Sequence, residues 1–378
     1  MPEVESPPPA PETPIVPGMA IGHMRELFQL AFARRASDIH LTESSPPMLR
    51  IDGELSPTEL APLTREDTKR LVYSFLTDRQ KAQFERDLEL DISVHVHELG
   101  RFRVNVHFQR GSVEAAFRLI PSRIPTIAEL GLPPVIAELT RKPNGLLLIT
   151  GPTGVGKSTT MAAMVNLINQ ERRRVIVIIE DPIEFIHQNR RSIIKQREVY
   201  ADTKSFSTAL VRALRQDPDV IAIGEMRDLE TIATAITAAE TGHLVMATLH
   251  TPDAAQTVDR VIDVFPPNQQ SQIQIQLADC LQGVVSQQLL PRSDRPGRVL
   301  AYEIMIGTSA VRNIVRDHAT EQIMTALQTG AQYGMCTMDA SIKQLFERKV
   351  ISYETAMSRV KSPAEFHMLI GKDQPPSK

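Results

Sequence analysis

The sequence predicts an α/β protein, a larger domain on a mostly parallel sheet preceded by a smaller α+β domain. Three observations carry this reading. The octapeptide Gly151-Pro152-Thr153-Gly154-Val155-Gly156-Lys157-Ser158 matches the phosphate-loop pattern G-x-x-x-x-G-K-[ST]. The apolar runs 146–150, 175–179, 220–223 and 244–249 are continuous instead of alternating, and helical patterns separate them, as expected of parallel strands covered on both faces; with the phosphate loop they predict a RecA-like P-loop ATPase domain. Residues 101–108 and 113–119 alternate apolar and polar around a turn at 109–112, which reads as an antiparallel hairpin with one face on a core.

A length of 378 residues, with 42% hydrophobic and 23% charged residues, suits two ordinary folded domains. The formal net charge of −3 and the pI near 6.4 weigh against a nucleic-acid backbone as the main partner. Cys280 and Cys336 lie far apart with no C-x-x-C pair, so neither a disulfide framework nor a zinc knuckle is indicated, and a reducing cytoplasm fits. No apolar stretch approaches the 18 residues of a membrane span, and the N-terminus lacks the pattern of a signal peptide. Membrane association would therefore run through partners.

Taken in order, residues 1–18 form a tail, since seven of the first 17 are proline and there is almost nothing to bury. Residues 19–120 form the α+β domain, with a helix at 21–36 and short strands such as 94–96 and 101–108. Pro121, Pro125, Pro133 and Pro134 mark 121–135 as a linker and docking segment. The ATPase domain spans 136–371 and turns helical after Asp263, with helices expected at 270–288, 309–317, 321–330 and 338–348. Residues 372–378 are a polar tail.

The phosphate loop lies between an apolar run and a helix-spaced set, Met161, Met164, Val165 and Ile168, which is the strand, loop and helix order that the motif requires. Gly151, Pro152, Thr153, Gly154, Val155, Gly156, Lys157, Ser158 and Thr159 are expected to hold ATP. The glycines turn backbone N–H groups onto the phosphates, Lys157 reaches the β- and γ-phosphates, and the Ser158 hydroxyl serves Mg²⁺. Two apolar runs end in acids, at Glu180-Asp181 and at Gly224-Glu225. Glu225 is expected to polarise the attacking water and Glu180 to act on Mg²⁺ or that water. Helix capping, or pairing with Arg227, is the bland alternative for both. Gly224 stands where a metal-binding aspartate is usual, so metal support would come from Glu180 or Glu225, by way of water. His243 and His250 flank the run 244–249 as phosphate sensors or as structural donors, and at roughly 23 Å apart along an extended strand they cannot share one metal.

In the hairpin, Arg101 and Arg103 face away from the core, and pairing around the turn sets Arg103 opposite Arg118. Two arginines face to face are unfavourable. Either an anion lies between them, as on an arginine-finger surface acting on a neighbour's ATP, or Glu114 or Asp91 neutralises a solvated face. The basic runs at 172–174 and 190–191 read as solvated faces.

Ala36-Ser-Asp-Ile-His-Leu41, the phosphate loop, Ile179-Glu-Asp-Pro-Ile-Glu-Phe185, Asp217-Pro-Asp-Val-Ile-Ala-Ile-Gly-Glu-Met-Arg-Asp228 and Thr241-Gly-His-Leu-Val-Met-Ala-Thr-Leu-His-Thr251 together resemble the secretion-superfamily hexameric ATPases. Ala310-Val-Arg-Asn-Ile-Val-Arg-Asp317 points within them to the type IV pilus retraction ATPases of the PilT kind. The resemblance spans about 19–360 and implies a PAS-like first domain and a homohexameric ring. It implies catalytic roles for Lys157, Glu180, Glu225, His243, His250, Arg101, Arg103 and Arg118. It also implies an inner-membrane pilus platform protein as partner, with a paralogous ATPase as a further one, and work at the cytoplasmic face of the membrane. An auxiliary retraction paralogue or an assembly motor is the alternative within the class. A RecA-like nucleic-acid translocase is the alternative outside it.

Overall fold

The four continuous apolar runs become neighbouring parallel strands in the computed structural model, which describes residues 21–370 except 52, 97–98, 121–122, 364–365 and 368–369. The expected tails, 1–18 and 372–378, lie outside the described residues. The chain divides into two units, 1–122 and 123–378.

The first unit contains α1 (Met24–Ala33), β1 (Asp38–Leu41), β2 (Met48–Ile51), β3 (Glu54–Pro57), α2 (Arg65–Tyr73), α3 (Asp78–Asp87), β4 (Glu89–Val96), β5 (Gly100–Gln109) and β6 (Ser112–Ile120). The strands form an antiparallel sheet in the order β3-β2-β1-β6-β5-β4. The alternation in β5 and β6 sends Phe102, Val104 and Phe117 to one face, where Leu27, Phe28 and Ala31 of α1 bury against them. The Phe28 and Phe102 rings lie 4.4 Å apart. Thr64 and Thr77 open α2 and α3 with capping boxes, each hydroxyl accepting from the third helical N–H.

The second unit continues with α4 (Val135–Thr140), β7 (Gly145–Thr150), α5 (Lys157–Glu171), β8 (Val175–Glu180), β9 (Ile193–Glu198), α6 (Phe206–Ala213), β10 (Val220–Ile223), α7 (Leu229–Glu240), β11 (Leu244–Leu249), α8 (Ala254–Asp263) and α9 (Pro267–Cys280). Then follow β12 (Leu281–Pro291), β13 (Arg298–Ile306), α10 (Ser309–Arg316), α11 (Ile323–Thr329), α12 (Met338–Glu347) and α13 (Tyr353–Met357). Its sheet runs β13-β12-β7-β11-β10-β8-β9, parallel except for the antiparallel edge strand β13. Apolar clusters fill both faces. That double burial is why β7, β8, β10 and β11 lack alternation.

Three differences from the sequence reading have physical causes. Residues 123–135 group with the second unit, so the division falls after 122 instead of after 135, because Ile127 and Leu132 anchor this segment beside Ile136 and Met164. The helix expected at 270–288 ends at Cys280, and 281–291 is instead a buried strand. Its glutamines suggest an exposed helix, but Leu281, Val284 and Val285 pair with β7 and bury. Strand β13, in a region read as helical, is its hairpin partner.

Candidate active site

Parallel strands place all their C-terminal ends at one edge of the sheet, and that rule gathers the site. Thr150 of β7, Glu180 of β8, Ile223 of β10 and Leu249 of β11 end their strands at this edge, Thr150 level with Leu249 and Ile223 level with Ile179 and Ala247, and the candidate residues are at or just past these ends. The phosphate loop bends sharply at Gly151, whose φ of +135° favours glycine. A Cβ there would sit 2.5 Å from the Gln287 carbonyl oxygen, so β12 behind the loop also demands glycine. Helix α5 starts at Lys157 behind Gly156 with no side-chain cap, which leaves the N–H groups of its first turn available to an anion. Ser158 and Thr159 lie half-buried in that turn.

Lys157 is buried and donates to the carbonyls of Gly151 at 2.7 Å and Pro152 at 3.1 Å, with its Nζ 3.3 Å from His250 Nδ1. Burial lowers its pKa, and the Glu225 and Glu184 carboxylates oppose that shift. His250 Nε2 lies 2.9 Å from Glu225 Oε1, and Glu225 Oε2 lies 2.6 Å from Arg227. These partners fix the tautomer of His250: Nε2–H donates to Glu225, and Nδ1 accepts from Lys157. Lys157, His250 and Glu225 therefore form a continuous polar chain. Partial burial works against the charge on Glu225, but Arg227, His250 and Lys157 outweigh it and hold the carboxyl below its ordinary range.

Glu180 ends β8 and is buried, with Gln196 Nε2 3.4 Å from its Oε2. Burial, reinforced by the Glu184 carboxylate, pushes its pKa up to about 8. Gly224 packs against it, since a Cβ at Gly224 would lie 3.2 Å from both Glu180 Cα and the Ile179 carbonyl oxygen. An aspartate at 224 would press into the acidic strand end, which gives glycine there a steric reason. The folded chain keeps the Glu180 proton to about pH 8, while the unfolded carboxyl loses it near 4.5. The stability tied to that proton is complete below pH 4.5 and is lost as pH rises through 8. Glu180→Gln is thus expected to unfold near the wild-type temperature at pH 5 and roughly 5 °C above it at pH 9. Identical differences at the two pH values, read by thermal melts, would sink this assignment.

The site does not gather every candidate. His243 precedes β11, at the opposite end from His250, and its Nδ1 lies 2.9 Å from the Ala238 carbonyl oxygen of α7. It belongs to the turn that closes that helix, and the structure does not bring it to the phosphate loop. The parallel strand order was the available signal, because only the residue after β11 shares an edge with the loop. Glu184 stands in the quoted 179–185 motif without being given a role, and Gln196, which lies in no motif, escaped the sequence reading; both act on Glu180.

In the first unit Arg103 does pair opposite Arg118 across β5 and β6. The charge conflict is met by neither Glu114 nor Asp91. Arg118 Nε donates to Asp38 Oδ1 at 2.8 Å, and Arg50 lies 3.7 Å from the same carboxylate. Glu114 instead accepts from Gln109 and Thr42, and Asp91 from Asn105. Register places Arg50, Asp38, Arg118 and Arg103 in one row across four strands, an alternation broken only by the adjacent pair Arg118 and Arg103. Arg101 lies on the same strand as the exposed Arg103.

Residues 18–349 match the model of the Type II/IV secretion system protein family. The chain belongs to this family. It is 47% identical to the type IV pilus retractation ATPase PilT of Pseudomonas aeruginosa over 90% of this chain and 99% of that one. It is 45% identical to a twitching motility protein of Neisseria gonorrhoeae, over 84% of each. A crystal structure of the pilus retraction motor PilT with bound ADP superposes with a TM-score of 0.85, at 47% identity, over 90% of this chain and 97% of that one. The α/β ATPase fold expected from the sequence is therefore the fold of this secretion family. Its nucleotide site suits the residues present, for an uncapped helix start, a buried ammonium and a hydroxyl at Ser158 form the donor set that a polyphosphate needs. Among the described residues no group of three or more His, Cys, Asp or Glu could hold a metal ion. A Mg²⁺ here would then be carried chiefly by phosphate oxygens and water, with Ser158 and the nearby carboxylates in support. Among the described residues no helix is long and apolar enough to cross a membrane.

Proposed function

We propose that this chain is the ATP-hydrolysing motor of type IV pilus retraction, working as a homohexamer on a membrane platform protein at the cytoplasmic face. The observation that carries it is the polar chain Lys157, His250, Glu225 at the mouth of an uncapped phosphate loop, in a chain 47% identical to a retraction ATPase over nearly its whole length.

The residues divide the work. The N–H groups of the first turn of α5 bind phosphate oxygens. Lys157 exchanges the Gly151 and Pro152 carbonyls for the terminal phosphates and meets the charge that builds there. Bound Mg²⁺, held in part by Ser158, would neutralise phosphate charge. Glu225, kept ionised by Arg227, orients and polarises water, and His250 fixes the carboxylate while touching the lysine that senses phosphate. Head-to-tail contacts that close by rotation give a ring. Within it the sheet face bearing the half-buried Arg101 and the exposed Arg103 and Arg118, with Arg118 steered by Asp38, completes the ATP site of a neighbouring copy. Paralogous ATPases of the same fold can join such a ring.

The test is ATP hydrolysis over a protein concentration series with mass followed in solution. Specific activity is expected to rise steeply with assembly. Mixing inactive Arg103→Ala with inactive Lys157→Ala is expected to restore turnover, because some interfaces then combine an intact arginine with an intact lysine. Concentration-independent activity in a monomer, or no rescue in co-assembled mixtures, would overturn the shared site. Restoration of twitching to a retraction-null strain tests the direction of work.

A further inference from the structure

Downstream of β11 the chain turns through Thr251, Pro252 and Asp253 into α8. This turn carries His250 at its start, so whatever holds the turn sets the histidine that links Lys157 to Glu225. Asp253 caps α8 by accepting from Gln256 N at 2.9 Å, and the Ala254 N–H donates to Glu303 Oε1 at 2.9 Å. Glu303 is 1% exposed and Asp253 is 8% exposed, so two carboxylates converge in an almost dry place. Such a pair needs a cation. It comes from far along the chain. Lys361 Nζ lies 3.0 Å from Asp253 Oδ2 and 3.6 Å from Glu303 Oε2. The lysine is itself tethered, its backbone N–H donating to Asp339 Oδ1 of α12 at 3.0 Å.

A second route leads from the same cluster to the phosphate loop. Glu303 of β13 pairs with Ser286 of β12, and Ser286 pairs with Thr150, the last residue of β7 before the loop. Thr150 Oγ1 donates to Ser286 Oγ at 2.8 Å, and both side chains are fully buried. A polar row thus crosses three strands from Thr150 to the carboxylate that Lys361 faces. None of these groups has a part in the hydrolytic steps above.

We infer that Lys361 is a positioning residue of the ATPase: by joining Asp253 and Glu303 it fixes the 250–254 turn and aims His250 at Lys157 and Glu225. The C-terminal segment after α13 is by this means coupled to the catalytic edge of the sheet. The inference rests on the ATPase reading, and the experiment separates the two. If the wild type hydrolyses no ATP, that reading fails; if it does hydrolyse ATP, the variants judge Lys361 alone.

Lys361→Met, Lys361→Arg and the double variant Lys361→Met with Glu303→Gln are to be compared in the full chain by steady-state ATP hydrolysis and thermal melts. Lys361→Met is expected to lose about 10-fold in kcat with KM for ATP within about twofold, because nucleotide contacts remain while His250 drifts. Lys361→Arg, which keeps a cation able to reach both carboxylates, is expected to keep at least about half of the wild-type kcat. The double variant removes the unpaired buried carboxylate and so folds even if Lys361→Met does not. Since Asp253 keeps only its Gln256 contacts in it and has lost the cation that ties it to β13, its kcat is expected to stay about 10-fold low. Wild-type kcat in the double variant, or a loss in Lys361→Met confined to melting temperature, would overturn the inference, as would failure of Lys361→Arg to restore kcat.

Discussion

Glu225→Gln is expected to lower ATP turnover by about 10²- to 10³-fold while ADP affinity stays within about twofold. Both oxygens of Glu225 are engaged, Oε1 by His250 and Oε2 by Arg227. Glutamine can still accept from His250 through its oxygen, so the substitution preserves the size and much of the fixed geometry of the side chain. It removes the negative charge, and it turns an amide N–H₂ toward the Arg227 guanidinium. Neutral surroundings orient water less strongly and cannot share its proton as bond formation proceeds. Nucleotide affinity is expected to hold because the phosphate-binding groups, Lys157 and the first turn of α5, are untouched. The depressed pKa of Glu225 makes it a weak resting base, which assigns it orientation and late proton acceptance instead of water deprotonation beforehand. His250→Ala leaves that charge in place and should cost less, about 10-fold. Steady-state hydrolysis with equilibrium ADP titration checks both. A Glu225→Gln protein within threefold of wild-type turnover would remove Glu225 from the chemistry.

The parts of this site that were legible in the sequence are those set by short-range rules. The phosphate loop is a contiguous pattern, the buried strands are continuous apolar runs, and the hairpin register that sets Arg103 opposite Arg118 follows from a turn at Arg110 and Gly111, both of which adopt positive φ. What escaped depends on distant pairing. Strand β12 looks like more of a glutamine-rich helix until β7, about 136 positions earlier in the case of Thr150 and Ser286, supplies its ladder. Gln287 is fully buried and polar there because its amide donates to Thr160 of α5. Asp38 as the partner of Arg118 crosses 80 positions, and Lys361 as the partner of Asp253 crosses 108. Composition near 38 or 361 holds no trace of either contact. His243 is a different case. The sequence already set the two histidines at opposite ends of one strand, and an argument from strand polarity would have told which of them shares the edge of the phosphate loop.

Lys157→Ala is expected to bring ATP hydrolysis below about 0.1% of wild type and to abolish nucleotide binding as well, in contrast to Glu225→Gln. The reason lies in what the ammonium does before nucleotide arrives. It is buried, and it satisfies itself on the Gly151 and Pro152 carbonyls with His250 Nδ1 alongside. Phosphate oxygens must offer it a better set of acceptors than two loop carbonyls, and a charged acceptor in a poorly solvated place does so. Alanine removes the only cation among the loop residues 151–158, so the incoming phosphates would face helix N–H groups alone. The free loop loses the bonds to the buried Gly151 carbonyl, the Pro152 carbonyl and His250 but also sheds a buried charge, and its melting temperature is expected to move by no more than about 2 °C. With Mg²⁺ and ADP at about 100 times the wild-type Kd, the wild type should gain about 2.7 kcal/mol, or roughly 5–10 °C. The variant should gain nothing. A nucleotide-dependent shift of wild-type size in Lys157→Ala would mean that the first turn of α5 suffices for binding, and it would take from Lys157 the sensing role on which the link to His250 and Glu225 depends.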